Sequence, residues 1–237
     1  KQITATDGSG SGSTYTQTYS YEGARRDTNG RGFLGFAKRI SIDGRLGYNL
    51  RTEESYSQAY PHIGLVTAAA LKQSGGTSMR QVTNTWSALT LGAGFEQRRY
   101  PYLSNTYDQR YEVGGPQNGQ LHTQVRRWVS SIDSTSGLVT DGSTRVTEVA
   151  TGLYTGNYRT EREQHTGVLN DTTNWCLGRP QTTLTTASHT LTGGTAITRT
   201  TGQTWDSVNC RLQQRQLEPG HAQWQVMVAY GYDAFGN

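Results

Sequence analysis

The sequence predicts an all-β fold, a continuous antiparallel β-sheet of long hairpins, and three observations carry that expectation. Side-chain character alternates with a period of two along many short runs, which puts successive residues on opposite faces of a strand. Asp-Gly and Gly-Gly pairs punctuate the runs and supply the positive φ that tight hairpin turns demand. The 237 residues are only 32% hydrophobic, with 29 Gly and 14 Tyr, against roughly 45–50% apolar in an average domain, so a thick core buried on both sides is not expected. Disorder is the competing account of low hydrophobicity, but charged residues are 17% and aromatic ones 10%, the reverse of a disordered balance.

From the N-terminus, the run Ser13 to Tyr21 sets Tyr15, Tyr19 and Tyr21 on one face and Thr14, Thr16, Thr18 and Ser20 on the other. Asp27-Thr28-Asn29-Gly30 is a turn, and Phe36 to Ile42 reads as a strand in which Gly35 marks a bulge or a close backbone approach. Asp43-Gly44 is the next turn, followed by Leu46-Tyr48-Leu50. Val66 to Lys72 is the one helix-like stretch, too short to stand alone. Beyond the Gly75-Gly76 turn come Val82-Asn84-Trp86, a weaker run from Phe95 to Tyr102, the turn at Gly114 to Gly119, and Leu121-Thr123-Val125. Asp141-Gly142 is read as a hairpin turn before a weak strand from Val146 to Tyr154. Thr182 to Leu191, the Gly193-Gly194 turn, Val208-Cys210-Leu212 and the Glu218-Pro219-Gly220 turn follow. The cleanest strand is last, with Trp224, Val226, Val228, Tyr230 and Tyr232 against Gln223, Gln225, Met227, Ala229 and Gly231. With no Pro- or Ser-rich linker to divide it, the chain reads as one β region, 1–237, of roughly a dozen strands.

Several chemistries are set aside on the same grounds. The net charge is +4, but the pairs Arg25-Arg26, Arg98-Arg99 and Arg126-Arg127 are scattered, and neighbours on a strand face opposite ways; no nucleic-acid partner is expected. No apolar run approaches the roughly 18–20 residues of a membrane span. The start, Lys1-Gln2-Ile3, has neither a signal-peptide pattern nor an initiator Met, which suggests an excised or processed region. Cys176 and Cys210 set no disulfide framework. They pair only if their Cα atoms come within about 7 Å; two free, half-buried thiols are the expectation adopted.

Gly30-Arg31-Gly32-Phe33-Leu34-Gly35 fits Gly-x-Gly-x-x-Gly, yet no helix opens after it to meet a pyrophosphate, so no nucleotide cofactor is expected. His62, His122, His165, His189 and His221 are spread without a metal-binding spacing. Glu53 and Glu54 face opposite ways, and Glu161 and Glu163 lie among Arg159 and Arg162, so neither pair looks like glycosidase carboxylates. No enzyme is expected, and neither cofactor nor metal. The alternative from another class is a carbohydrate- or cell-surface-binding β module, resting on aromatic rows such as Trp86, Tyr100, Tyr102, Tyr107 and Tyr111. Cross-strand aromatic pairs within the sheet are the competing explanation of those rows.

The chain closes on Tyr230-Gly231-Tyr232-Asp233-Ala234-Phe235-Gly236-Asn237. This run matches Tyr-x-Tyr-Asp-x-x-Gly-Asn, the YD repeat, and resembles the Rhs family. Two tyrosines at i and i+2 stand on one face, and Asp with Gly-Asn builds a turn tolerant of left-handed φ. Tyr19-Ser20-Tyr21-Glu22-Gly23, Asp27, Gly30-Arg31-Gly32-Phe33-Leu34-Gly35-Phe36 and Tyr56-Ser57-Gln58-Ala59-Tyr60-Pro61-His62-Ile63-Gly64 are similar to the stretch leading into YD repeats in Tc insecticidal toxin B components and virulence-plasmid B proteins. Trp175-Cys176-Leu177-Gly178-Arg179-Pro180 and Leu217-Glu218-Pro219-Gly220 resemble later elements of the same stretch. The resemblance covers 1–64 and 171–237, while 65–170 rests on strand pattern alone. It marks Tyr230, Tyr232, Asp233, Gly236 and Asn237, with Gly30, Gly32, Gly35 and Phe36, as structural motif residues. It implies a hollow β-shell segment of a secreted or cell-surface bacterial protein. Its implied partners are the remaining YD-repeat shell, of the same or a companion protein, and a toxic cargo region. A cell-surface glycan is the partner of the alternative reading. The family's self-cleaving aspartates have no match here, so no cleavage role is implied.

Overall fold

The computed structural model describes residues 1–6, 14–45, 49–92, 94, 97–150, 155–191, 194–233 and 235. Leu46 and Tyr48, Phe95, Tyr154, Gly193, and Gly236 and Asn237 of the YD motif lie outside the described residues. The described chain forms eighteen strands and no α-helix: β1 (Gln2–Thr6), β2 (Thr14–Glu22), β3 (Arg26–Asp27), β4 (Gly32–Phe33), β5 (Lys38–Asp43), β6 (Leu50–Tyr56), β7 (Val66–Lys72), β8 (Ser78–Leu91), β9 (Arg98–Tyr111), β10 (Leu121–Ile132), β11 (Val139–Glu148), β12 (Tyr158–Thr166), β13 (Leu169–Asp171), β14 (Cys176–Arg179), β15 (Thr182–His189), β16 (Ile197–Trp205), β17 (Leu212–Leu217) and β18 (Val226–Ala229). Fourteen of them form one sheet in the order β1-β2-β5-β6-β7-β8-β9-β10-β11-β12-β15-β16-β17-β18, while β3 with β4 and β13 with β14 make two small inserted hairpins. Sequence neighbours are therefore sheet neighbours, as expected of antiparallel strands joined by short turns. The all-β expectation is met.

The chain divides into two compact units. The first comprises Lys1–Ala88, Pro101–Arg126 and Thr147–Gly156. Its register aligns Ser20, Ile40, Glu53, Ala70 and Gln81 in one row across β2, β5, β6, β7 and β8, and Tyr21, Arg39, Glu54, Ala69 and Val82 in the row beside it. Adjacent rows face opposite sides of the sheet, so Glu53 and Glu54 do point apart. The helix-like Val66–Lys72 is a strand bonded on both sides, to β6 and to β8. The helix preference of its alanines is worth only a few tenths of a kcal/mol per residue, less than two flanking ladders supply. Arg80 grips the buried Asp108 with two 2.8 Å hydrogen bonds, Nε to Oδ1 and Nη2 to Oδ2.

Glu53 sits among three cations, with Lys38 at 3.0 Å, Lys72 at 3.0 Å and Arg51 at 2.7 Å. Partial burial pushes its carboxyl up, but the hydrogen bonds and charges of Lys72 and Lys38 outweigh this and hold it at about 2. The folded-state value lies below the unfolded one, so the stabilisation is present above about pH 4.5 and is lost as the pH falls towards 2. Because the cations are partly solvated, we expect Glu53→Gln to cost about 1–2 kcal/mol at pH 7. Urea denaturation at pH 7 and pH 2 checks this: the gap between wild type and variant shrinks at pH 2, and an equal gap contradicts it.

The second unit comprises Leu89–Tyr100, Arg127–Val146 and Asn157–Asn237. Here Glu163, Thr185 and Arg199 form one row across β12, β15 and β16, and Thr201, Leu217 and Val226 another across β16, β17 and β18. One turn design recurs three times. Asp133 accepts from the backbone N–H groups of Thr135 and Ser136, Asp171 from those of Thr173 and Asn174, and Asp206 from those of Val208 and Asn209. The residue that then reverses the chain has positive φ, 77° at Gly137, 57° at Trp175 and 58° at Cys210. A side chain that imitates a backbone turn followed by a left-handed residue makes a compact reversal.

These turns correct three expectations. Val208-Cys210-Leu212 is not a strand, because Ser207 to Asn209 form a turn and β17 begins only at Leu212. Asp141-Gly142 lies inside β11 rather than at a hairpin, the reversal having already occurred at Asp133 to Gly137. Asp141 instead accepts a 2.9 Å hydrogen bond from Arg162 Nε, and that pairing holds its carboxyl below the usual range. The cysteines are not free: Cys176 and Cys210 form a disulfide with Cα atoms 5.3 Å apart, because two of these turns lie side by side.

Burial is sparse in both units. Among the described residues only Leu34, Ile40 and Cys176 are buried apolar side chains, and none of the helices needed to cover a sheet face is present.

Candidate functional site

The YD motif lies beyond the last strand. Strand β18 is shorter than the predicted Trp224 to Tyr232, because Ala222 to Trp224 turn on the His221 carbonyl. Trp224 stacks on His221 at 4.4 Å, and the Arg199 guanidinium lies over the Trp224 ring at 5.6 Å. Tyr230 N–H still donates to Gln213, so the ladder runs one residue past β18. The Tyr232 hydroxyl donates to the Leu212 carbonyl at 2.7 Å beneath Arg211, and Asp233 Oδ1 accepts from Phe235 N–H at 2.9 Å. The Tyr230 backbone and the Tyr232 hydroxyl thus bond the chain to β17, while Asp233 accepts across the start of a turn.

The second group of motif residues belongs to the β3–β4 hairpin and the loop after it. Gly30, Gly32 and Gly35 have φ of 106°, 73° and 86°. Gly35 is not a bulge within a strand: β5 starts only at Lys38, and the Gly35 carbonyl accepts from Arg25 N–H and Gln58 Nε2. The close approach falls at Gly23, where an added Cβ would stand 2.7 Å from that of Ala37. Phe36 packs against Tyr21 at 4.9 Å and edge-on against Phe33 at 5.5 Å. Gln58 also donates to the Gly23 carbonyl at 2.7 Å, so one side chain ties both ends of the glycine-rich loop to the segment after β6. Arg31 lies over the Tyr60 ring of that segment at 4.0 Å. The hairpin and the segment enclose a concavity of about 320 Å³ bordered by Arg25, Arg26, Arg31 and Gln58. Scattered basic pairs hid this convergence; arginines on both sides of an Asp-x-x-Gly turn were the available signal.

In the second unit a concavity of about 610 Å³ includes Trp128, Glu161, Arg162, Glu163 and His165 in its lining. Its ionic side chains have partners within the unit: Glu161 pairs with Arg159 and Arg162 with Asp141, while Glu163 lies 2.9 Å from His165 Nε2. The two glutamates share a face, as alternation requires, yet each is held by a neighbouring basic side chain, Glu161 by Arg159 and Glu163 by His165. Among the described residues no group of three or more His, Cys, Asp or Glu is placed to hold a metal ion, and no helix is long and apolar enough to cross a membrane. The aromatic row splits by strand parity, which sets Tyr102 and Tyr107 on opposite faces. Trp86 donates to the Val66 carbonyl, the Tyr111 hydroxyl to Gln81, and Arg126 covers Tyr107.

No family model matches the sequence, and no curated protein matches it. Solved structures do share the fold. TcdB2-TccC3-Cdc42 superposes with a TM-score of 0.69 over 91% of this chain and 16% of the other, at 10% identity. TcdB2-TccC3 gives 0.66 over 87% and 16%, also at 10% identity. TcdB2-TccC3 without its hypervariable C-terminal region gives 0.66 over 87% and 15%, again at 10% identity. The chain thus spans about 15–16% of the length of these Tc toxin structures and has the fold of that stretch. The resemblance drawn from short motifs is matched in three dimensions.

Proposed function

We propose that the chain is a non-catalytic wall segment of a hollow β-shell of the Rhs/YD-repeat type, which helps to enclose a toxic cargo and works with the rest of that shell. The observation that carries this reading is the fourteen-stranded sheet, shared with a stretch of much longer Tc toxin chains. The scarcity of buried apolar side chains supports it, since a wall one sheet thick has no second layer to bury against. A disulfide fits a secreted or cell-surface protein, where oxidising conditions let such bridges persist. That the described acidic side chains near both concavities serve turns and ion pairs supports a role without catalysis.

The carbohydrate-binding alternative is favoured by one observation, the Trp175 ring, 75% exposed at the tip of a disulfide-tied turn. An array of glycans without sulfate or phosphate groups, probed with the purified chain, separates the two. Silence is the expected result, and reproducible binding lost in Trp175→Ala favours the binding module. The shell reading is tested by fusing an unfolded passenger downstream of this segment in the full-length protein that carries it. The passenger is expected to resist protease, and digestion at the rate of free passenger overturns the reading.

A further inference from the structure

We propose that the Arg25–Arg26–Arg31 concavity of the first unit is a binding site for a tetrahedral oxyanion, a sulfate or phosphate monoester. Three guanidinium groups border it against one carboxylate, that of Asp27, so the local charge is three minus one, or +2. Asp27 Oδ1 accepts from Asn29 N–H at 2.8 Å, and no ion pair joins Asp27 to these arginines among the described residues. Among the described residues the exposed Arg25, Arg26 and Arg31 have no ion pair, whereas Arg162 at the larger concavity of the second unit is paired with Asp141. Like charges gathered without counter-ions repel, and the arrangement favours an anion that relieves the repulsion.

The site is also held in shape before any ligand arrives. Arg31 is fixed on the face of Tyr60 at 4.0 Å, which leaves the planar edge of its guanidinium available. Gln58 pins the loop through the Gly23 and Gly35 carbonyls at 2.7 and 2.9 Å. Leu34, 8% exposed, anchors the hairpin from below. Guanidinium forks match the oxygens of a tetrahedral anion in pairs, and a positioned fork loses less freedom on binding. At about 320 Å³ the space exceeds that of a bare anion and leaves room for the group that carries it. The Gly-x-Gly-x-x-Gly run supplies a tight hairpin that presents arginines, rather than a loop before a helix.

Calorimetric titration of the whole chain with sodium sulfate and sodium phosphate, at ionic strength fixed with sodium chloride, tests the site. Saturable binding of one anion per chain is expected, weakened at least tenfold in Arg25→Gln/Arg26→Gln and severalfold in Arg31→Lys, which keeps the charge but loses the fork. Asn29→Glu, which removes no arginine but sets a carboxylate at the rim, is expected to abolish it. Arg98→Gln/Arg99→Gln leaves it unchanged, and circular dichroism verifies the fold of each variant. Glucose 6-phosphate and galactose 6-sulfate then tell the two esters apart, the tighter of them naming the source. Heats that do not saturate, or binding undiminished in both the double variant and Asn29→Glu, overturn the proposal.

Discussion

Removing the Cys176–Cys210 bridge is expected to destabilise the chain by about 3–4 kcal/mol, on a chain-entropy estimate for a bridge that spans 34 residues. The bridge joins two turns of the same design, each a backbone reversal held by one Asp. Cys176 is fully buried, while Trp175 and Val208 on the same turns are 75% and 68% exposed. Little apolar packing therefore replaces the covalent link once it is cut. Urea denaturation followed by circular dichroism, with and without reductant, gives the measurement. Cys176→Ala/Cys210→Ala is expected to unfold at the midpoint of the reduced wild type and to ignore reductant. Coincident midpoints for the oxidised wild type and the variant would contradict a stabilising bridge.

The second large effect is expected at the sheet edge. Among the described residues β18 pairs on one side only, with β17. Val226, Met227 and Val228 are 52%, 57% and 43% exposed, and from Ala222 to Tyr232 the sequence has no Lys, Pro or other charged residue to discourage pairing. An apolar strand with free N–H and C=O groups is a template for another strand. Sedimentation velocity over a range of concentrations should show the chain associating, and Val228→Lys should reduce that association strongly. In a β-shell the same edge would take a neighbouring strand, which would suppress association as the charge does. A wild-type chain that sediments as a monomer at every concentration would show that the edge is already covered.

The sequence by itself determined the β character, the tyrosine-bearing strand at Thr14–Glu22, the opposed faces of Glu53 and Glu54, and the turns at Gly75-Gly76, Gly114 to Gly119 and Glu218 to Gly220. All of these follow from a period of two and from the φ that a few residue types allow, which are properties of neighbours along the chain. The three Asp turns were legible in the same way, as Asp133-x-x-Ser136, Asp171-x-x-Asn174 and Asp206-x-x-Asn209, and they mark chain reversals better than Asp141-Gly142 does. The tertiary structure alone decided what happens between segments far apart. It drew Val66–Lys72 into a strand because ladders on both sides outweigh the helix preference of alanine. It set the turns of Cys176 and Cys210 beside each other, and it gathered Arg25, Arg26 and Arg31 around the loop that Gln58 ties down. Strand partners and register depend on contacts between distant segments, and a local pattern carries no record of which segments meet.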